Sequence, residues 1–241
     1  MSAENDALFA EGAPDAIRSR LALALDFDDI VEAMRVARVL RPWFGVAKVG
    51  LELFSAAGPE AIEALIDEGF DVFADLKLLD IPTTVNKAAR VMGSLGASYL
   101  TVHTRAGVDH LAAGVDGFAA GAAAAGLAAP TCLGITVLTS EQADRDALRT
   151  RVKFAVDAGC GGVVCAASDL GEVTTLGPDL LAVVPGIRPA GVDANDQARP
   201  ATPEEAIAAG AGLLVIGRAV THAEDPAAAA AAIAGAVASR V

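Results

Sequence analysis

Charged residues of alternating sign gather around one short segment: Asp75, Lys77 and Asp80, with Lys48 upstream. Asp75 and Lys77 are two apart, so on one β-strand both side chains leave on the same side. If Lys48 faces the same mouth, the order Lys48, Asp75, Lys77, Asp80 alternates in sign and sums to zero. Four ionised groups brought together are costly unless each has a partner, and a position needed only for packing takes Val or Ile. The pattern reads as a charged reaction site or as an ion-pair network lining a rim, and the residue types alone leave both open. A second group is cationic: Arg188, within the Pro/Gly-rich stretch Pro185 to Pro200, and Arg218, directly after Gly217. A planar guanidinium fork suits a phosphate dianion, and the backbone N–H of Gly217 or Arg218 can approach one closely. Asp26, His103, Thr136, Thr139 and Ser140 add polar groups where apolar runs end.

The elements that must carry these residues are legible as short apolar runs alternating with Ala-rich stretches. Strands are expected at Leu21–Asp26, Val46–Gly50, Val72–Leu76, Tyr99–His103, Cys132–Val137, Gly162–Cys165, Leu181–Val184 and Leu213–Ile216. They are apolar throughout rather than alternating, as in parallel strands covered by helices. Helices are expected at Asp28–Leu40, with Asp28 as its cap, and at Pro59–Glu68, Thr83–Leu95, Val108–Ala125, Arg145–Ala158, Pro203–Ala209 and Pro226–Ser239. Asp169–Thr175 is a shorter one. Proline at a helix start and glycine just past its end, as at Pro59 and Gly69, delimit such elements. Eight strand–helix units in 241 residues predict a single (β/α)₈ TIM barrel over 1–241, α/β in class. An open doubly wound sheet is the alternative, but Leu25-Asp26-Phe27-Asp28 lacks the glycines that usually follow its first strand. A barrel's site lies at the C-terminal ends of its strands, where the charges above fall, and its phosphate sites commonly use the loops after strands 7 and 8.

Composition narrows the function. The net charge of −13 carries no basic face to displace counterions from nucleic acid. Cys132, Cys160 and Cys165 are too few for a disulfide framework, and with three histidines they make a poor metal set, so they read as small buried hydrophobes. The start of the chain, Met1 to Arg20, is acidic and Ala-rich, unlike a signal peptide. The apolar run Ala227 to Ala238 is too short to cross a bilayer and reads as the last helix. A cytoplasmic protein with no membrane or nucleic-acid partner is expected.

The segment Asp75-Leu76-Lys77-Leu78-Leu79-Asp80-Ile81-Pro82-Thr83-Thr84 resembles the DxKxxDIPxT signature of orotidine 5′-monophosphate decarboxylases. The resemblance extends to Leu25-Asp26, Lys48-Val49-Gly50, Val102-His103, Leu138-Thr139-Ser140, Pro185-Gly186-Ile187-Arg188-Pro189 and Gly217-Arg218. It implies that orotidine 5′-monophosphate loses its C6 carboxylate as CO₂ and gains a proton to give UMP, the last step of pyrimidine synthesis, with no metal or organic cofactor. It further implies that Lys77 protonates C6, that Asp75 lies beside the departing carboxylate, and that Lys48 and Asp26 bind ribose hydroxyls while Lys48 closes the charge network. Asp80, Ile81 and Thr84 would complete the neighbouring site of a homodimer. Arg218, Gly217, Arg188 and Gln197 would hold the phosphate, the last two on a closing lid. Thr139, ahead of Ser140, would bond the pyrimidine edge. His103 reads as a packed histidine, and His110 and His222 have no evident chemistry. The competing reading is a Mg-dependent sugar-phosphate decarboxylase or aldolase of the same superfamily. Such enzymes share DxKxxD but place an acid on strand 2, where this chain has Lys48. A barrel that only binds a nucleotide monophosphate is a third reading, which retention of both Asp75 and Lys77 disfavours.

Overall fold

Each apolar run read as a strand forms one in the computed structural model, which describes residues 9–137, 145–189 and 201–240. The strands are β1 Leu21–Leu25, β2 Val46–Val49, β3 Asp71–Leu78, β4 Tyr99–His103, β5 Thr131–Ile135, β6 Gly162–Val164, β7 Leu181–Val184 and β8 Leu213–Ile216. All pair in parallel, in sequence order, and β8 returns to β1, so the sheet is a closed TIM barrel rather than an open one.

The helices are α1 Asp15–Arg18, α2 Ile30–Leu40, α3 Leu51–Ala57, α4 Glu60–Asp67, α5 Pro82–Ser94, α6 Val108–Ala124, α7 Arg145–Asp157, α8 Leu170–Leu176, α9 Pro203–Ala208, α10 Arg218–Thr221 and α11 Pro226–Ala238. The short α1, α3 and α10 were not anticipated. The cap of α2 is Asp29, not Asp28: Asp29 has extended backbone and its carboxylate accepts the Glu32 N–H. Among the described residues no helix is long and apolar enough to cross a membrane.

Parity along the strands divides the core in two. Leu21, Leu23, Leu25, Ala47, Val49, Val72, Ala74, Leu100 and Val102 face outward into a core shared with the helices. Ala22, Ala24, Val46, Phe73, Leu133, Val183, Leu213 and Val215 fill the barrel interior, with Tyr99 and Val164 against them. Each large aliphatic side chain so buried contributes roughly 1.5–3 kcal/mol before conformational entropy is subtracted. The same parity carries upward to the C-terminal mouth, where Lys48 follows Val46, Asp75 follows Phe73, and Thr101 follows Tyr99. All three cysteines are buried thiols outside any disulfide, as expected.

Helices α5 and α6, which follow β3 and β4, pack unusually close. A side chain at Gly117 or Gly121 would run into the carbonyls of Asn86 or Arg90, and one at Gly93 into that of Phe118. Glycine therefore lets the two backbones approach, and Asn86 Nδ2 donates to the Ala113 carbonyl across the seam at 2.9 Å. This pair holds the base of the loop that contains Asp80 and Ile81.

Candidate active site

Asp75 and Lys77 reach the mouth through an irregularity in β3. Ala74 pairs with Leu100 and Leu78 with Val102, so three residues of β3 stand opposite Thr101 alone. Such bulges re-aim side chains next to reaction sites. Lys77 absorbs the extra length with φ 49°, alone among the described non-glycine residues in having positive φ. This costs about 1–3 kcal/mol and persists only where the surroundings impose it. Here the Lys77 N–H donates to Thr101 Oγ1 at 2.9 Å, and the Thr101 hydroxyl donates to Asp75 Oδ1 at 3.1 Å.

The other carboxylate oxygen faces the lysines. Lys77 Nζ donates to Asp75 Oδ2 at 2.7 Å, and Lys48 Nζ lies 3.8 Å from the same oxygen. Lys48 Nζ also donates to Asp26 Oδ1 at 3.0 Å, just beyond β1. Two ammoniums and two carboxylates thus form a neutral chain, Asp26–Lys48–Asp75–Lys77. The exposure of these side chains is graded: 9% for Lys48, 14% for Asp75, 33% for Lys77. Lys48 has lost nearly all its water, a loss that its two acidic neighbours offset. Lys77 keeps an open side on a cavity of about 160 Å³. The cavity's other walls are apolar, with Phe73, Ile135, Val164 and Val215 opposite the charges. A flat apolar ring carrying an anionic substituent matches that division, and the field of the fixed charges is strongest where water is excluded.

Asp80, Ile81 and Thr84 are not brought to this cluster within one chain. All three are exposed, Ile81 to 66%, and Asp80 Oδ1 accepts the N–H of Ile81 at 2.6 Å. Among the described residues, then, the acidic partner of Lys77 is Asp75 alone. The loop is instead pinned by His110, which the sequence reading left without a role. Its buried ring presents Nδ1 to the Asp80 carbonyl at 2.9 Å and Nε2 to the Leu78 carbonyl at 3.4 Å. A single histidine on an Ala-rich helix carries no signal of such a tie.

Arg188 follows β7 and is buried; its N–H bonds the Ala201 carbonyl and its side chain the Ile187 carbonyl, both at 2.9 Å. Gly217 and Arg218 follow β8, half-buried, with Arg218 opening α10. Both arginines thus follow their strands at the same end of the barrel as the charge cluster. Thr139, Ser140 and Gln197 lie outside the described residues. Thr136 is buried and turns its hydroxyl to the Val164 carbonyl at 2.8 Å. His103 is buried as well, and burial pushes its imidazole below the ordinary histidine range, with Arg105, Arg151, Lys77 and His110 acting in the same direction. It is a packed neutral ring, in keeping with its sequence reading.

Residues 19–233 match the family described as "Orotidine 5′-phosphate decarboxylase / HUMPS family". A curated orotidine 5′-phosphate decarboxylase of Anaeromyxobacter sp. (strain K) is 45% identical over 229 residues, 89% of this chain and 96% of that protein. One from Moorella thermoacetica is 41% identical over 232 residues, 90% of this chain and 91% of that protein. The crystal structure of orotidine 5′-phosphate decarboxylase from Lactobacillus acidophilus superposes with a TM-score of 0.77 at 33% identity, covering 91% of this chain and 99% of that one.

Proposed function

The chain belongs to the orotidine 5′-phosphate decarboxylase / HUMPS family, and from that premise we propose that it converts orotidine 5′-monophosphate to UMP and CO₂ in pyrimidine synthesis without metal or organic cofactor. The observation that carries this reading is the chain Asp26–Lys48–Asp75–Lys77, ending in an accessible ammonium on a small cavity with apolar walls.

In this reading the pyrimidine ring enters the cavity with C6 toward Lys77. As the bond from C6 to its carboxylate breaks, CO₂ leaves and the electron pair remains on C6. The ammonium of Lys77 stabilises that pair and then delivers a proton to it, a step suited to a compact, mobile donor. Asp75 keeps the Lys77 ammonium aimed. It also lies beside the substrate carboxylate, and two like charges about 4 Å apart repel by about 4 kcal/mol at an effective dielectric near 20. Relief of that repulsion is worth about three orders of magnitude in rate. Lys48 and Asp26 take ribose hydroxyls. Arg218 and Arg188, with the Gly217 backbone and Gln197, hold the phosphate, whose binding energy is spent in closing the site. Thr139 bonds the pyrimidine edge. The exposed Asp80, Ile81 and Thr84 complete the site of a second copy, so the working unit is a homodimer.

The alternative, a Mg-dependent lyase acting on a sugar phosphate, needs acids gathered around a cation. The position between Asp26 and Asp75 holds the ammonium of Lys48, 3.0 and 3.8 Å from their oxygens. That donor set disfavours a divalent ion there. Incubation with orotidine 5′-monophosphate in EDTA, followed by pyrimidine absorbance, separates the readings. Metal-independent turnover supports the proposal. Turnover only of a sugar phosphate with Mg²⁺ supports the lyase, and tight binding without absorbance change supports an inert nucleotide binder.

A further inference from the structure

Thr101 on β4 is fully buried beneath the charge cluster, at an interior position where Val, its near-isostere, would pack as well. What Val lacks is the hydroxyl, and both capacities of that hydroxyl are in use. It accepts the N–H of Lys77 at 2.9 Å and donates to Asp75 Oδ1 at 3.1 Å. A hydroxyl has one proton. Since Lys77 N–H can only donate, the Thr101 proton must go to Asp75. One carboxylate oxygen is thereby committed to Thr101, and Oδ2 is left to Lys77 and Lys48. The same hydroxyl holds the backbone of Lys77 in its left-handed conformation at φ 49°.

We propose that Thr101 is a positioning residue for the reaction: its hydroxyl clasps the β3 bulge and so sets the direction of both the Lys77 ammonium and the Asp75 carboxylate. The inference rests on the decarboxylase reading of the same site. Thr101 is fully buried and does not line the cavity, so its loss is expected to act on the chemical step. Misaiming a reacting group by about 1 Å can cost about 100-fold in rate.

The test compares T101V and T101S with the unaltered protein as purified. T101V is expected to lower kcat by about 10- to 100-fold, the worth of a lost hydrogen bond to a charged group, with KM nearly unchanged. T101S, which keeps the hydroxyl, is expected to restore most of kcat. If T101V does not fold, T101A takes its place. A kcat for T101V or T101A equal to the unaltered enzyme, a loss confined to KM, or a T101S no better than T101V each overturns the proposal. Hydrogen exchange at the Lys77 amide, measured without substrate, distinguishes the two ideas. If the unaltered protein fails to turn over orotidine 5′-monophosphate, the decarboxylase reading falls. If T101V leaves Lys77 amide protection as it was, the clasp itself is absent.

Discussion

Lys77 Nζ sits 2.7 Å from Asp75 Oδ2, and the same two residues are tied a second time where the Lys77 backbone and Asp75 Oδ1 share the Thr101 hydroxyl. The pair is thus held at both ends, side chain and main chain. The pair is part-buried, so its desolvation offsets much of its attraction and it is weak evidence for stability. Its consequence is geometric: an ammonium kept in one place at the edge of an apolar cavity.

In the proposed reading, replacing Lys77 by Ala removes the proton source while leaving in place the cavity and the residues assigned to ribose and phosphate. Turnover is expected to vanish, and UMP is expected to bind within about tenfold of its normal affinity, the reach of one lost exposed charge contact. Calorimetric titration with UMP beside a decarboxylation assay checks both halves. Residual turnover above a few per cent of normal excludes Lys77 as the donor.

In the proposed reading Arg218 holds the phosphate, a part of the substrate remote from the bond that breaks. R218A is expected to raise KM by about 10- to 100-fold through loss of a charge-assisted hydrogen bond. On a truncated substrate lacking the phosphate, free phosphite should raise the activity of the unaltered enzyme and do so less in R218A. Equal phosphite activation in the two proteins would place the phosphate elsewhere.

His103 makes stability depend on pH with a definite sign. Its folded imidazole binds a proton less readily than the ordinary value of 6.5, through burial first and the surrounding cations second. As pH falls through that value the unfolded chain takes up a proton that the folded chain resists, so stability declines toward acid. Urea unfolding at about pH 8 and about pH 5.5 should show a smaller acid loss in H103N than in the unaltered protein. Parallel losses in both would place the titration in other groups.

If Asp80 serves the neighbouring copy, two inactive proteins should restore each other. K77A supplies an intact Asp80, and D80A supplies an intact Lys77. Dissociated, mixed in equal amounts and reassociated, they should recover about a quarter of normal activity from random pairing in a two-fold dimer. No recovery, with exchange of subunits shown separately, would mean that Asp80 works within its own chain.

Much of the barrel was legible because buried parallel strands are apolar along their whole length, and all eight runs fell where strands lie, within two residues at either end. Charge at the strand ends gave the site its location, since Lys48 and Asp75 interrupt otherwise apolar parity. The β3 bulge was not legible. Spacing places Asp75 and Lys77 on one side whether the strand is regular or irregular, and no glycine marks the left-handed position at Lys77. Thr101 and His110 escaped for a related reason: each bonds a group more than twenty residues away, and only the closed barrel brings those groups near. Asp28 and Asp29 are both acceptable caps by type, and Asp29 is the one with extended backbone whose carboxylate accepts the Glu32 N–H.

A crystal structure with a UMP analogue bearing a small anionic group at C6 tests the central claim most directly. The expected result is Lys77 Nζ within hydrogen-bonding distance of that group, Asp75 Oδ2 still against Nζ, and the ring seated on Phe73, Ile135 and Val215. A lysine turned into bulk water, or an analogue bound with C6 away from Asp75, would contradict the account.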